Sequence, residues 1–305
     1  MAAAIMLLSS LPFVHEFIFD SEYELYAWVP DLGIRDAIFD GNHFLGYSYY
    51  DVFLYSISVL FYVFVGALVW ASIRKRRGYG TALLLPVLSV GYTICLVFAN
   101  AKGTAWNDPF YKLLGLLGVS IGLMFWHYRK HQRYVAVHGQ NLKSLGASIE
   151  KPFGPKSLML WAALLLLSTF PFIDDMLIDS SKNLRGWVPV LGIERALTLE
   201  DGTVLGFNTY RVFLYEFLIN LMGFVVWSGC FFDSKGKLYM LFFLVPVVLG
   251  FFELLIITME WKLDAIGYPT WKLGLLLVTG FAAAIFFFVK NRHLKPQGVP
   301  QIKKT

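Results

Sequence analysis

The chain has 305 residues, of which 57% are hydrophobic and 15% charged, with a formal net charge of +5. Its apolar residues come in long blocks rather than at amphipathic spacing, so a water-soluble fold would leave too much apolar surface exposed. Alternating strands of about ten residues are absent, which excludes a closed barrel, and an all-α membrane protein is expected.

Crossing about 30 Å of hydrocarbon takes about 20 mostly apolar residues. Eight stretches qualify, at 3–19, 51–73, 80–101, 109–127, 157–178, 209–232, 237–259 and 271–289. The first, within "MAAAIMLLSSLPFVHEFIF", lacks the basic leader and A-x-A site of a signal peptide, so it is read as a retained helix. Residues 20–50 and 179–208 each carry Trp-Val-Pro before an apolar-rich run, and each is expected to form a short helix at the outer interface.

Basic clusters "RKRR" (74–77), "HYRKHQR" (127–133), "KGK" (235–237) and "KNRHLK" (290–295) all fall on one side of these spans, while the opposite loops are acidic or neutral. The positive-inside rule then places both termini in the cytoplasm. This asymmetry accounts for the net charge and leaves no basic face for nucleic acid. N-x-[ST] acceptors are absent, which favours a bacterial inner membrane over a secretory one.

The chain also repeats itself. "WVPDLGI" at 28–34 returns as "WVPVLGI" at 187–193, "DVFLY" at 51–55 as "RVFLY" at 211–215, "LLPV" at 84–87 as "LVPV" at 244–247, and "DPFYKLLG" at 108–115 as "YPTWKLGL" at 268–275. The offset is 159 residues at first and 160 afterwards, which reads as a tandem duplication. The expected division is a four-helix repeat at 1–132, a cytoplasmic linker at 133–156, a second four-helix repeat at 157–293 and a basic tail at 294–305. With four spans each, the repeats enter the membrane in the same direction.

Charges inside spans cost about 2.5–3.5 kcal/mol each at the bilayer centre and face a bundle interior or a cavity. Asp174 and Asp175, in "FPFIDDMLID", lie near the predicted end of their helix, roughly 5 Å below the outer boundary, and are expected to reach water. Their phrase echoes "LPFVHEFIFD" at 11–20, so it is read mainly as the mark of a helix end. Glu216 lies deeper, with Asn220 and Gly223 following on one face, and Glu253 sits at similar depth behind Pro246 and Gly250. Lys272 and Arg211 supply nearby positive charge. The first copy has Ser56 and Thr93 where the second has Glu216 and Glu253, whereas Lys112 matches Lys272 and Glu16 matches Asp175. The shared pairs are read as structural, and the two deep glutamates as candidates for binding a solute or an ion.

Cys95 and Cys230 lie in separate spans without C-x-x-C spacing, and His15 has no second imidazole near it in the sequence. No cofactor, metal site or familiar catalytic motif is expected. The aromatic runs "FYVF", "MLFFL" and "AIFFF" read as lipid-facing, and "GLLGVSIG" at 115–122 as a surface for close helix packing. Three functions fit: a transporter or permease for a small polar, cationic or lipid-like solute; a membrane subunit of a larger complex; and an enzyme acting on lipid at the outer leaflet. Partners expected are the lipid bilayer and other membrane proteins or a second copy of the chain.

Overall fold

The computed structural model describes residues 2–14, 17, 50–74, 80–99, 105–144, 154–177, 210–235, 237–259 and 269–293. Every regular element among them is helical: α1 (Ala2–Val14), α2 (Tyr50–Arg74), α3 (Leu84–Phe98), α4 (Pro109–Ser144), α5 (Pro155–Leu167), α6 (Ile173–Leu177), α7 (Tyr210–Asp233), α8 (Leu244–Thr258) and α9 (Pro269–His293). Short 3₁₀ turns at Ala105–Asn107 and Leu238–Phe243 lead into α4 and α8. Of the predicted interfacial loops, 20–50 and 179–208, all but Tyr50, which begins α2, lie outside the described residues.

Five helical stretches are long and apolar enough to cross a membrane: Leu54–Arg74, Pro109–Val137, Phe213–Asp233, Tyr239–Thr258 and Pro269–Lys290. That is the make-up of an integral membrane protein. The remaining predicted spans hold shorter apolar helices, at Ala3–Val14, Leu84–Phe98 and Ser157–Leu167. The stretch at 157–178 is divided. Ser168 turns its hydroxyl back onto the Leu164 carbonyl, and the amides of Thr169, Phe170 and Phe172 bond three residues back, to Leu166, Leu167 and Thr169. Pro171 has no amide to continue an α-helical ladder, so the chain passes through a tight turn before α6. Ser9, at the matching position in α1, makes the same bond to the Ile5 carbonyl, and Phe13 and Phe172 are both buried.

At the centre α2 packs along α7. Val59, Leu60, Val63 and Ala67 of α2 and Ile219, Met222, Val226, Trp227 and Cys230 of α7 are buried there. The other contacts fall into pairs under the sequence offset: α2 with α3 and α7 with α8; α3 with α4 and α8 with α9. The first helix of each half reaches across. α1 packs on α8 and α9 as well as on α2, while α5 and α6 pack on α4, with α5 also on α3 and α6 also on α7. The molecule therefore has two flanks around the α2–α7 pair, one made of α3, α4, α5 and α6 and the other of α8, α9 and α1.

Two packing expectations need correction. Gly115, Gly118 and Gly122 were expected to admit a neighbouring helix, yet nothing in the described chain lies within 4 Å of a Cβ built on any of them. Among the described residues nothing covers this face of α4, where Leu114, Leu117, Ile121 and Phe125 are exposed around them. The aromatic runs also divide by position. Phe281, Ile285, Phe286 and Phe288 are exposed on α9, but Tyr62, Phe242 and Phe243 are core residues, because the pairing of α2 with α7 and the turn into α8 bring those faces inward.

Candidate functional site

The predicted site residues are positioned by α7, α8 and α9. Glu216 stands in the second turn of α7 and is buried, as is Asn220 one turn on. The Asn220 amide spends one N–H on the Glu216 backbone carbonyl, 2.8 Å away, and the other on the hydroxyl of Tyr55 on α2, 2.6 Å away. This second bond ties the two central helices together near their N-terminal ends. Ser56, the counterpart of Glu216 on α2, is fully buried, and its hydroxyl makes no hydrogen bond among the described residues.

On α8, Pro246, Gly250 and Glu253 lie on one buried face. The Tyr62 hydroxyl donates to the Pro246 carbonyl at 3.1 Å, and a Cβ on Gly250 would meet Phe224 of α7 at 3.5 Å, an ordinary contact. Glu253 is aimed at α9, where the Lys272 ammonium lies 3.2 Å from its Oε1. The approach is an ion pair without hydrogen-bond alignment, since Oε1 has no aligned donor. Lys272 is 1% exposed and Glu253 8%, so both charges are withdrawn from solvent.

Glu216 and Asn220 on α7 and the Glu253–Lys272 pair on α8 and α9 all lie toward the end of the bundle where α7 and α9 begin and α8 finishes. Arg211 lies in the first turn of α7 and Asp175 in α6; their side chains lie outside the described residues. Asp174 corrects an expectation. Its side chain does not reach water but is 5% exposed, because the break at 168–172 sets α6 apart from α5 and packs it against α4 and α7.

Sequence reading missed Tyr55 and a second polar group at the far end of the central pair. Arg74, the last residue of α2, holds Asp233, the last residue of α7, through its Nε and one terminal nitrogen, a two-pronged ion pair. The Trp70 indole donates to the same carboxylate at 2.7 Å. Asp233 lies 17 residues beyond Glu216, so the two groups are roughly 25 Å apart along α7. A signal was present for both groups. "FLY" recurs at 53–55 and 213–215, and Asp233 is an acid set just ahead of the basic "KGK".

A carboxylate pair with one ammonium, one carboxamide and one phenol can hold a small cation or ammonium group, or exchange a proton, in surroundings where such groups interact strongly. Among the described residues no three His, Cys, Asp or Glu side chains converge as a metal centre requires. Comparison with protein-family models, curated proteins and solved structures finds no match to this chain.

Proposed function

We propose that the protein is a transporter or permease for a small polar, cationic or lipid-like solute, with the Glu216–Asn220–Glu253–Lys272 cluster as its binding site. The observation that carries this reading is the buried Glu253–Lys272 ion pair on α8 and α9, with a further buried acid, Glu216, on α7, which packs along α8. Such charges are costly to place in a bundle. The matching positions Ser56 and Thr93 are neutral, so the repeat does not demand an acid at either of these two positions. In this reading the chain crosses the membrane eight times as two parallel four-helix repeats, related by a pseudo-two-fold axis along the membrane normal. The paired helix contacts under the 159–160-residue offset support that arrangement. The site lies in the outer half, both termini are cytoplasmic, and the membrane is a bacterial inner membrane.

The test is uptake into proteoliposomes of a panel of labelled amines, inorganic cations and polar lipids, comparing the natural chain with Glu216→Gln and Glu253→Gln. Loss of uptake of one class in both variants is expected. Unchanged uptake in both removes the site.

A second reading, a membrane subunit or scaffold of a larger complex, is supported by α4. Among the described residues nothing packs on its glycine face, and 17% of its most apolar stretch is buried, against 56% for α7. Purification from native membranes separates the readings: co-purifying membrane proteins in fixed ratio favour the subunit, and a lone monomer or homo-oligomer counts against it.

A further inference from the structure

Lys112, at the start of α4, is 8% exposed, and its ammonium lies 5.8 Å from the centre of the Phe172 ring, two residues ahead of Asp174. Lys112 is the positional match of Lys272, whose counter-ion is Glu253 of α8. The position on α3 that matches Glu253 is Thr93, a neutral residue whose hydroxyl is given to the Ser89 carbonyl at 3.0 Å. The flank that holds Lys112 must therefore find its acid elsewhere, because a buried ammonium is stable only beside a compensating charge. The crossing of the first helices supplies one. Asp174 on α6 is buried, and α6 packs on α4. In sequence, the match of Asp174 in the first copy is His15, while that of Glu253 is Thr93. Each flank thus receives one deep acid from this pair of positions: α6 carries it beside α4, and α8 carries it beside α9.

We infer that Asp174 is the counter-ion of Lys112, so that the molecule holds two buried acid–lysine sites, one in each flank, with the acid supplied by different helices. The sites are equivalent in charge although the residues that provide them are not equivalent in sequence. Its test is separate from that of the transport reading, because stability, and not uptake, reports which acid completes which lysine.

The experiment measures melting temperatures of full-length variants in detergent. Asp174→Asn and Lys112→Met each leave a buried charge alone and are expected to lower the midpoint by roughly 5–10 °C. The double variant should lie above Asp174→Asn. Thr93→Glu should raise Asp174→Asn toward the natural value, because it places an acid against Lys112 as Glu253 is placed against Lys272. If Asp174→Asn does not fold, recovery of folded protein on adding Thr93→Glu serves as the same readout. Additive losses in the double variant, no loss in Asp174→Asn, failure of Thr93→Glu to restore it, or restoration of Asp175→Asn instead would overturn the assignment.

Discussion

The indole of Trp70 on α2 occupies the space that a side chain on Gly229 of α7 would need: a Cβ there would lie 2.3 Å from Trp70 Cε2. The arrangement is reciprocal, since a Cβ on Gly66 of α2 would lie 2.9 Å from the Trp227 ring of α7. Each central helix thus offers a glycine to the other's tryptophan, and ring contact stands in for the hydrophobic driving force that lipid does not provide between helices. Gly229→Ala should destabilise the fold by about 1–3 kcal/mol, because the Trp70 ring is buried and its N–H is held by Asp233, so it cannot withdraw freely. Gly118→Ala, on the face of α4 that no described residue covers, should cost nothing measurable. Thermal midpoints of the two variants check this, and equal midpoints would show that Trp70 gives way.

Next to that contact, Arg74 and Asp233 join the C-terminal ends of α2 and α7, with side chains 14% and 9% exposed. Asp233→Asn leaves the guanidinium without its carboxylate and takes a charged acceptor from Trp70. A loss of about 3–5 kcal/mol is expected, at the scale of a broken buried pair. Exchanging the two residues, Arg74→Asp with Asp233→Arg, should recover part of it. Denaturation midpoints of the single and exchanged variants measure the coupling, and no recovery would mean that Trp70, rather than the ion pair, holds the carboxylate's surroundings together.

The Glu253–Lys272 pair gives a sharper contrast between breaking and removing a charge pair. Lys272→Met strands a carboxylate that is 8% exposed, and should cost about 3–5 kcal/mol. Glu253→Gln with Lys272→Met removes both charges and should be far closer to the natural stability. A double variant as unstable as the single one would mean that Lys272 matters here through its packing and not its charge.

The helical class, the membrane-length stretches at α2, α4, α7, α8 and α9, and the inward face of Glu216, Asn220 and Glu253 were legible in the sequence because apolar block length and helical spacing are local properties. The break at 168–172 was less so: a proline near the end of an apolar run is common, and its effect depends on whether the turn can bond its own amides, as Thr169 and Phe170 do. Burial of Asp174 follows from that break and from α6 meeting α4, neither of which a hydropathy profile carries. Lys272 was identified as a neighbour of the acids, but its choice of Glu253 depends on how α8 meets α9. Arg74 was counted with the basic cluster that sets orientation, and only the approach of the α7 terminus gives it a partner. The glycine spacing in α4 gave the shape of a face, but no helix among the described residues stands against it, because spacing says nothing of what packs there.

The bond from Asn220 to Tyr55 is a second side-chain tie in the central pair, and it should be weaker than the Arg74–Asp233 tie. Both partners are neutral, and hydrogen bonds between membrane helices are worth about 0.6 kcal/mol on average and up to about 1.7. A cycle built on Asn220→Leu, Tyr55→Phe and the double variant should therefore give a coupling of about 0.5–1.7 kcal/mol. The Arg74–Asp233 cycle should give more, because its hydrogen bonds are charge-assisted and two-pronged. Such an imbalance lets the N-terminal ends of α2 and α7, where Glu216 lies, separate more readily than their C-terminal ends. Hydrogen exchange should then run faster at Tyr55–Val59 than at Ala67–Ser72 in the natural chain, and Tyr55→Phe should raise the first rate without changing the second. Equal exchange at the two ends, or a Tyr55–Asn220 coupling as large as that of Arg74–Asp233, would remove this asymmetry.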